Sequence, residues 1–257
     1  KRLNGFLGGL NKSDLIVLAG RPSMGKTALA TNIAFKAAKS SLENKEPVLF
    51  FSLEMSSEQL AQRSLSEQSG IDSHRIRKGD INENEFSNIV KTQNLIQETP
   101  FYIDDTPALS VSQMASRARR LKRERNIELL IVDYLQLMQG PKNSENRQNE
   151  ISQITQSLKA LAKELDIPVI ALSQLSRAVE QRTKKEPLLS DLRESGAIEQ
   201  DADVVIFLYR PAVYDKEDQD LKGLAYLIVA KQRNGPTGRV TATFIDTYAR
   251  FDNHQEF

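Results

Sequence analysis

The chain has 257 residues, no cysteine and two histidines, and its 35 basic and 34 acidic residues give a formal net charge of +1. These numbers exclude a disulfide framework, a thiolate or histidine-rich metal centre, and a diffuse cationic field that would attract nucleic acid or a membrane. The 39% hydrophobic content suits one domain with a sizeable core. No apolar run approaches membrane-spanning length and no signal peptide opens the chain, so we expect a cytoplasmic protein without membrane contact. The chain begins at Lys1 without a methionine, so we expect a fragment of a longer protein.

Apolar runs that predict strands alternate along the chain with amphipathic stretches that predict helices. Residues 1–13 predict a linker or entry segment, and one domain follows over 14–257. The predicted strands span 14–20, 48–54, 101–105, 129–138, 169–174, 204–210, 225–233 and 240–251. The predicted helices lie near 26–40, 56–69, 82–98, 110–125 and 147–166. The first runs are continuously apolar, so we predict an α/β domain with a mainly parallel sheet flanked by helices and antiparallel strands at the C-terminus.

The most basic segment, residues 116–125, is predicted to be a solvated helix face and not a DNA site. Charge runs usually lie on such faces. Helical spacing would turn Ala115, Ala118 and Leu121 toward the core.

Residues 20–27 match the phosphate-binding pattern G-x-x-x-x-G-K-[ST]. The motif consists of Gly20, Arg21, Pro22, Ser23, Met24, Gly25, Lys26 and Thr27. An apolar run precedes it and a helical pattern follows, so backbone N–H groups can close around phosphates at a helix N-terminus. We therefore predict ATP or another nucleoside triphosphate as the ligand. Lys26 should reach the β- and γ-phosphates, and Thr27 should hold Mg²⁺ through its hydroxyl.

Three polar residues end other apolar runs: Asp133, Glu54 and Gln174. Ligands of open parallel sheets bind at the carboxyl ends of the strands. Asp133 is predicted to hold Mg²⁺ from the second side, Glu54 to orient water as a general base, and Gln174 to bond the γ-phosphate and report hydrolysis. Each residue also has a plainer interpretation. Asp133 could cap a turn, Glu54 could be an acid near a helix start, and Gln174 could be an ordinary polar residue at a strand end.

The segment KQRNGPTG, residues 231–238, predicts a strand that ends in a tight turn. We call these residues the cationic turn. Lys231 and Arg233 are two residues apart and would point to the same side of a strand. Because neighbouring cations repel, we expect them either to be solvated or to await an anion that the chain does not supply there.

Six segments in this order resemble the C-terminal motor domain of DnaB-type replicative DNA helicases. They are RPSMGKT (21–27), FFSLEMS (50–56), LLIVDYLQLM (129–138), IALSQLSR (170–177), LRESGAIEQDAD (192–203) and KQRNGPTG (231–238). The resemblance covers nearly the whole chain and implies a RecA-like fold in a homo-hexameric ring that moves 5′ to 3′ on single-stranded DNA by hydrolysing nucleoside triphosphate. The family also carries a helical N-terminal domain, which we expect this chain to lack and through which primase and a helicase loader would mainly bind.

The resemblance also assigns roles to the cationic turn and to one strand end. It implies that Lys231 and Arg233 cross a subunit interface to the γ-phosphate held by the next subunit. An arginine supplied in this way contributes roughly 10³–10⁵ in rate. By analogy with related ring helicases, Arg210 would stack on the nucleotide base.

The resemblance places the DNA contacts after the polar loop 178–187. Arg193 and the backbone amide of Gly196 would contact DNA phosphates on the central channel, and Glu194 would form part of the same turn. Phosphate contacts position DNA without reading its bases. Residues 139–149 would form a second channel loop.

Three functions remain open at this point. The first is a ring helicase motor, and the second is another RecA-like DNA-stimulated ATPase, such as a recombinase, without unwinding activity. The third is a small-molecule kinase or a regulatory nucleotide-binding module, although the chain shows no acceptor signature. Stimulation of hydrolysis by single-stranded DNA would separate the first two from the third.

Overall fold

A computed structural model of the protein describes residues 2–40, 46–139 and 147–254, apart from the side chains of 193–197. Within these residues, nine strands form one sheet in the order β3-β2-β4-β5-β1-β6-β7-β8-β9. The strands are β1 (Leu15–Gly20), β2 (Val48–Ser52), β3 (Phe101–Asp104), β4 (Leu129–Asp133), β5 (Val169–Gln174), β6 (Val204–Tyr209), β7 (Leu224–Gln232), β8 (Gly238–Ile245) and β9 (Arg250–Asn253). The strands from β3 to β6 in this order are parallel, and β7, β8 and β9 are antiparallel. The predicted fold class is therefore confirmed.

Helices cover both faces of the sheet. They are α1 (Arg2–Leu7), α2 (Lys26–Ser40), α3 (Ser57–Ser69), α4 (Ser73–Lys78), α5 (Glu83–Glu98), α6 (Val111–Arg125), α7 (Arg147–Leu165), α8 (Ala178–Gln181) and α9 (Gly196–Asp201). Apolar residues of α2 pack on one face, and those of α6 and α7 pack on the other. The central strands β1, β2 and β4 are buried along their whole length, as their continuously apolar runs predict.

Local sequence signals set the bounds of helix α3, which carries residues of the site. The Ser56 hydroxyl accepts a hydrogen bond from Gln59 N, and the Gln59 side chain accepts one from Ser56 N. This reciprocal capping box satisfies two N–H groups that a helix start leaves unpaired. The helix ends at Gly70, whose φ of 67° lies in the left-handed region.

Two predicted strands are shorter than their apolar runs. The run 240–251 forms β8 and β9, separated by a 3₁₀ turn at Asp246–Tyr248, so the single predicted strand is wrong. The run 129–138 ends as a strand at Asp133, and a 3₁₀ helix over Leu135–Leu137 follows. Apolar character alone misled the prediction, because a tightly packed turn also buries apolar side chains.

The basic segment lies on helix α6 with its apolar residues turned inward, as predicted, and two of its arginines also form ion pairs. Ala115 and Ala118 are buried, and Leu121 packs against the same core. Arg117 pairs with a carboxylate on β3, and Arg119 pairs with one on α7. These arginines already have acidic partners within the chain.

The N-terminal residues include a short helix. In α1, Leu7 is buried, and Leu3 and Phe6 pack against the core on the α2 face, as does Leu10 after the helix. The assignment of 1–13 as a linker, with a domain over 14–257, stays a prediction. Among the described residues, no helix is both long and apolar enough to span a bilayer.

Candidate functional site

The loop between β1 and α2 has the backbone of a phosphate cradle. Ser23 and Gly25 adopt φ values of 66° and 92°, in the left-handed region where a residue with a side chain is strained. A Cβ on Gly25 would lie 3.2 Å from the Phe251 ring, and one on Gly20 would lie 3.0 Å from the Leu208 carbonyl oxygen. Close packing therefore favours glycine at Gly20, and close packing together with a positive φ favours it at Gly25.

The loop opens onto a cleft of about 680 Å³, which we call the P-loop cleft. This volume lies within the range of about 300–1,000 Å³ that small-ligand sites occupy. The lining residues are Pro22, Ser23, Gly25, Lys26, Thr27, Ala28, Glu54, Met55, Gln59, Arg63, Tyr134 and Gln174. Because β1 ends here and α2 begins here, the cleft lies at the carboxyl edge of the parallel strands, as predicted.

A buried carboxylate lies beside the cradle. Asp133 is 1% exposed, and among the described residues neither of its oxygens has a hydrogen-bond partner. Burial raises the pKa of Asp133 to about 6, and the charge of Glu54 adds to the rise. The Thr27 hydroxyl is close enough to oppose this pKa rise, although it forms no hydrogen bond of ordinary geometry with the carboxylate.

The adjacent lysine has the electrostatics of an anion site. The Lys26 Nζ donates to the Arg21 carbonyl oxygen at 3.3 Å. Burial lowers the pKa of Lys26, while the charges of Asp133 and Glu54 oppose that change. An ammonium group and buried carboxylate oxygens therefore lie together at a helix N-terminus. A polyanion and a hard divalent cation would complement them, since such a cation prefers oxygen ligands.

Glu54 and Gln174 also reach the P-loop cleft. Strand β2 ends at Ser52, so Glu54 lies in the turn beyond the strand, where it is exposed. Gln174 is the last residue of β5. The Gln136 amide holds this end of the strand, since its Nε2 donates to Ser173 Oγ at 3.0 Å and its Oε1 accepts from Gln174 N at 3.2 Å.

Three residues predicted to bind nucleotide have side chains that contact other parts of the protein. The Arg21 guanidinium donates to Glu180 at 2.9 Å and to the Leu175 carbonyl at 2.7 Å. The Met24 side chain is buried in the core, so this residue contributes only its backbone to the cradle. Arg210 lies 3.8 Å over the centre of the Phe244 ring. The stacking of Arg210 on a nucleotide base stays a prediction.

Arg210 instead contacts the cradle from behind. Its Nη1 donates to the Ser23 carbonyl at 3.3 Å, and its Nη2 donates to Asp246 at 2.7 Å. The ring of Phe244 also lies next to Gly25. Arg210 and Phe244 together therefore support the strained part of the loop.

The expectation that the chain supplies no partner for the cationic turn is wrong. Lys231 Nζ donates to the carbonyl oxygens of Glu199 and Ala202 at 2.6 and 2.7 Å, which caps the end of α9. The Nε of Arg233 lies 3.4 Å from the Asp203 carboxylate. These partners belong to distant elements, so local spacing did not indicate them.

The cationic turn lies at the end of the sheet opposite the P-loop cleft. Asp203, which contacts Arg233, also accepts a hydrogen bond from Leu15 N at the first residue of β1, whereas Gly20 is the last residue of that strand. Five steps of about 3.3 Å separate these ends by about 16 Å. Arg233 therefore cannot reach the cleft of its own chain.

The predicted DNA contacts are only partly described. The backbone of Arg193 and Glu194 lies in a 3₁₀ helix, and Gly196 starts α9. The side chains of 193–197 lie outside the described part of the chain, as do residues 140–146 of the predicted second channel loop. These assignments stay predictions.

Sequence reasoning missed several residues of the site. Gln59 and Arg63 lie one turn apart on α3 and line the cleft, but no motif marks them. The position of Tyr134 directly after Asp133 could have indicated it. Gln136 could not be found from spacing, because its bonds join the 3₁₀ helix after β4 to the end of β5.

The fold and the site define a class: a P-loop nucleotide-binding domain on a mainly parallel sheet. The sequence pattern described as DnaB-like helicase C terminal domain matches residues 1–253. The chain therefore belongs to this family.

Relatives and a solved structure agree with this assignment. The chain is 51% identical to the replicative DNA helicase DnaB of Rickettsia prowazekii and 52% identical to that of Buchnera aphidicola. Each match includes 98% of this chain but 56% and 54% of those proteins, so the chain spans about half the length of its curated relatives. A solved DnaB-like replicative helicase, studied with its interactions with primase, superposes with a TM-score of 0.93 at 38% identity, over 99% of this chain and 60% of that one.

Proposed function

We propose that this chain is the ATP-hydrolysing motor domain of a replicative DNA helicase, which moves 5′ to 3′ on single-stranded DNA as a ring of six copies. We further propose that each site is completed by the neighbouring copy. The observation that carries this proposal is the position of the cationic turn, about 16 Å along β1 from the cleft of its own chain. A cation pair at that end can meet a bound phosphate only when the phosphate belongs to another copy.

Within one cleft, the proposed roles follow from the contacts. The loop over 20–27 binds the phosphates with its backbone N–H groups, and Lys26 places an ammonium group among them. Glu54 is exposed to the cleft and orients the attacking water as a general base. Gln174 is held in register by Gln136 and contacts the terminal phosphate.

The donor set of Asp133 and Thr27 fits Mg²⁺. Two buried carboxylate oxygens that have no hydrogen-bond partner in the described part of the chain lie next to a hydroxyl group, and oxygen atoms are the ligands that this ion prefers. When bound there, Mg²⁺ would neutralise charge on the phosphates. Asp133 itself would be kept ionised by that ion, against the burial that raises its pKa.

From the neighbouring copy, the Arg233 guanidinium would bind the γ-phosphate with two N–H groups, and Lys231 would add a point charge. Lys231 would have to exchange the carbonyl groups of α9 for phosphate oxygens. Helix α9 begins at Gly196, whose amide is a proposed DNA contact together with Arg193. The proposed DNA contacts and the cationic turn are thus joined through one short helix.

Assembly and partners follow from the same proposal. A contact between the cleft end of one copy and the turn end of the next is head-to-tail, and such contacts close into rings or grow as filaments. We propose a homo-hexamer, with primase and a helicase loader as further partners. A replicative helicase acts on the chromosome, which in bacteria such as those of the relatives places it in the cytoplasm.

Mixing two inactive variants tests the shared site. Arg233→Ala lacks the turn cation and Glu54→Gln lacks the base, yet in a mixed assembly an intact turn can meet an intact cleft. ATP turnover of the mixture should exceed that of either variant alone, and native mass measurement should verify that mixed assemblies form. If mixed assemblies form and turnover does not rise at any ratio, the shared site is refuted.

A second experiment tests the DNA function. Single-stranded DNA should stimulate ATP turnover, and a forked duplex should be unwound. Stimulation without unwinding by the full-length protein would favour the recombinase-type ATPase. Arg193→Ala should weaken DNA binding at matched salt while basal turnover persists, whereas unchanged affinity would refute the channel assignment.

A further inference from the structure

A buried carboxylate at the end of the sheet where β1 begins contacts the arginine of the cationic turn. Asp203 is 3% exposed, and its Oδ1 lies 3.4 Å from Arg233 Nε. Its carbonyl oxygen also accepts a hydrogen bond from Arg233 N at 2.9 Å. The Arg233 side chain is 54% exposed, and in the described part of the chain no hydrogen bond engages its two terminal nitrogens. One edge of the guanidinium is held while the other faces solvent.

The same carboxylate is fixed from the opposite side. The Oδ2 of Asp203 accepts from Leu15 N at 2.8 Å and pairs with Lys159 on α7. The Asp203 N–H donates to the Leu15 carbonyl at 2.9 Å, and Lys159 also donates to Ser13 O at 2.7 Å. Asp203 is therefore rigidly attached to the first residue of the strand that carries the phosphate cradle.

The contact with Arg233 is not needed to satisfy the buried charge. Lys159 neutralises Asp203, and Leu15 N occupies the same oxygen, which leaves Oδ1 directed toward Arg233. An arginine side chain has many rotamers, and a guanidinium that is already fixed loses less freedom when it binds an oxyanion.

On the basis of the trans role proposed above, we propose that Asp203 is a positioning residue. It holds Arg233 with the two terminal nitrogens directed outward, toward the γ-phosphate on the neighbouring copy. Because Asp203 is also fixed to β1, the cradle of a copy and the arginine that it lends move as one body.

Asp203→Asn in the full-length protein tests this proposal. The amide keeps an oxygen for Leu15 N–H but no longer attracts the guanidinium. Turnover should fall by roughly 10- to 30-fold, because the arginine side chain would then lose its rotamer freedom only when it binds the phosphate. The KM for ATP should stay within about threefold, because the cleft of the same copy is intact.

A mixture with Glu54→Gln shows which copy is affected. Asp203→Asn subunits carry an intact cleft and Glu54→Gln subunits an intact turn, so mixed assemblies should regain turnover. Asp14→Asn is the matched control, since Asp14 belongs to the same charge cluster but forms no ion pair with Arg233 among the described residues. Its turnover should stay within about twofold of the wild type.

The outcomes separate this proposal from the one on which it rests. If the mixture of Arg233→Ala and Glu54→Gln regains no turnover, the trans site itself fails. If that mixture recovers but the one with Asp203→Asn does not, Asp203 acts on its own cleft and the positioning role is overturned.

A double variant provides a second criterion. On the Arg233→Ala background, Asp203→Asn should cause no further loss of turnover, because Asp203 acts only through that arginine. An additional loss overturns the proposal. If Asp203→Asn does not fold or assemble, Asp203→Glu, which keeps the charge but displaces it, takes its place in the same mixtures with the same expected results.

Discussion

Removing the buried charge of Asp133 should stabilise the metal-free protein. The pKa of Asp133 rises from the ordinary 3.8 to about 6, chiefly because burial disfavours the ionised form. The folded chain therefore holds this proton more tightly than the unfolded chain, and wild-type stability falls as the pH rises from about 4 to about 6. At about 1.36 kcal/mol per pKa unit, the ionised carboxylate costs about 3 kcal/mol above this range. Asp133→Asn lacks this cost.

Thermal unfolding in a chelator at pH 4, 6 and 8 measures the effect. A domain of this size shifts by roughly 2–4 °C per kcal/mol, so Asp133→Asn should unfold roughly 6–12 °C above the wild type at pH 8 and at nearly the same temperature at pH 4. Asp191→Asn is the matched control and should lower the unfolding temperature. This buried carboxylate has hydrogen-bond partners, since it accepts from Arg182 at 2.6 Å and from Leu188 N at 2.7 Å. A gain for Asp133→Asn that is equal at all three pH values, or absent at pH 8, would refute the reasoning.

Three further substitutions test the packing around the cleft. Gly25→Ala combines a positive φ with a contact on Phe251, so nucleotide affinity in a calorimetric titration should fall about tenfold or more; an unchanged affinity would contradict the cradle geometry. Arg210→Ala loses the Ser23 carbonyl contact and a ring stack, and the free energy of unfolding in urea should drop by roughly 1–3 kcal/mol; no change would show that these contacts do not support the loop. Gln136→Ala should lower ATP turnover about tenfold with the nucleotide Kd unchanged, and equal losses in both quantities would argue against a role confined to the strand end.

The cleft could be predicted from sequence because its parts are short motifs at strand ends. The loop 20–27 is contiguous, and Asp133 and Gln174 each end an apolar run, so the geometry of a parallel sheet brings them together. Glu54 also follows an apolar run, but it lies two residues past the strand. Chain turns of this kind depend on packing that a linear pattern does not contain.

The environment of the cationic turn could not be predicted, because its partners come from distant segments. Lys231 binds carbonyl groups at the end of α9, and Arg233 contacts Asp203. Asp203 itself is one of several acids in a polar segment, and only its contacts with residues 15 and 159 make it a buried anchor. The two cations therefore have separate partners, carbonyl oxygens for Lys231 and a carboxylate for Arg233.

In the proposed shared site, the cleft and the cationic turn lie at opposite ends of β1, and this placement has an arithmetical consequence. In an open row of copies, the first cleft has no donor and the last turn has no recipient, so the row contains one working centre fewer than it has copies. Closure into a ring creates that missing centre without adding a chain. A copy with a substituted turn would inactivate the cleft of the adjacent copy, while its own cleft stayed active. Each such defect would therefore affect the neighbour on one side only.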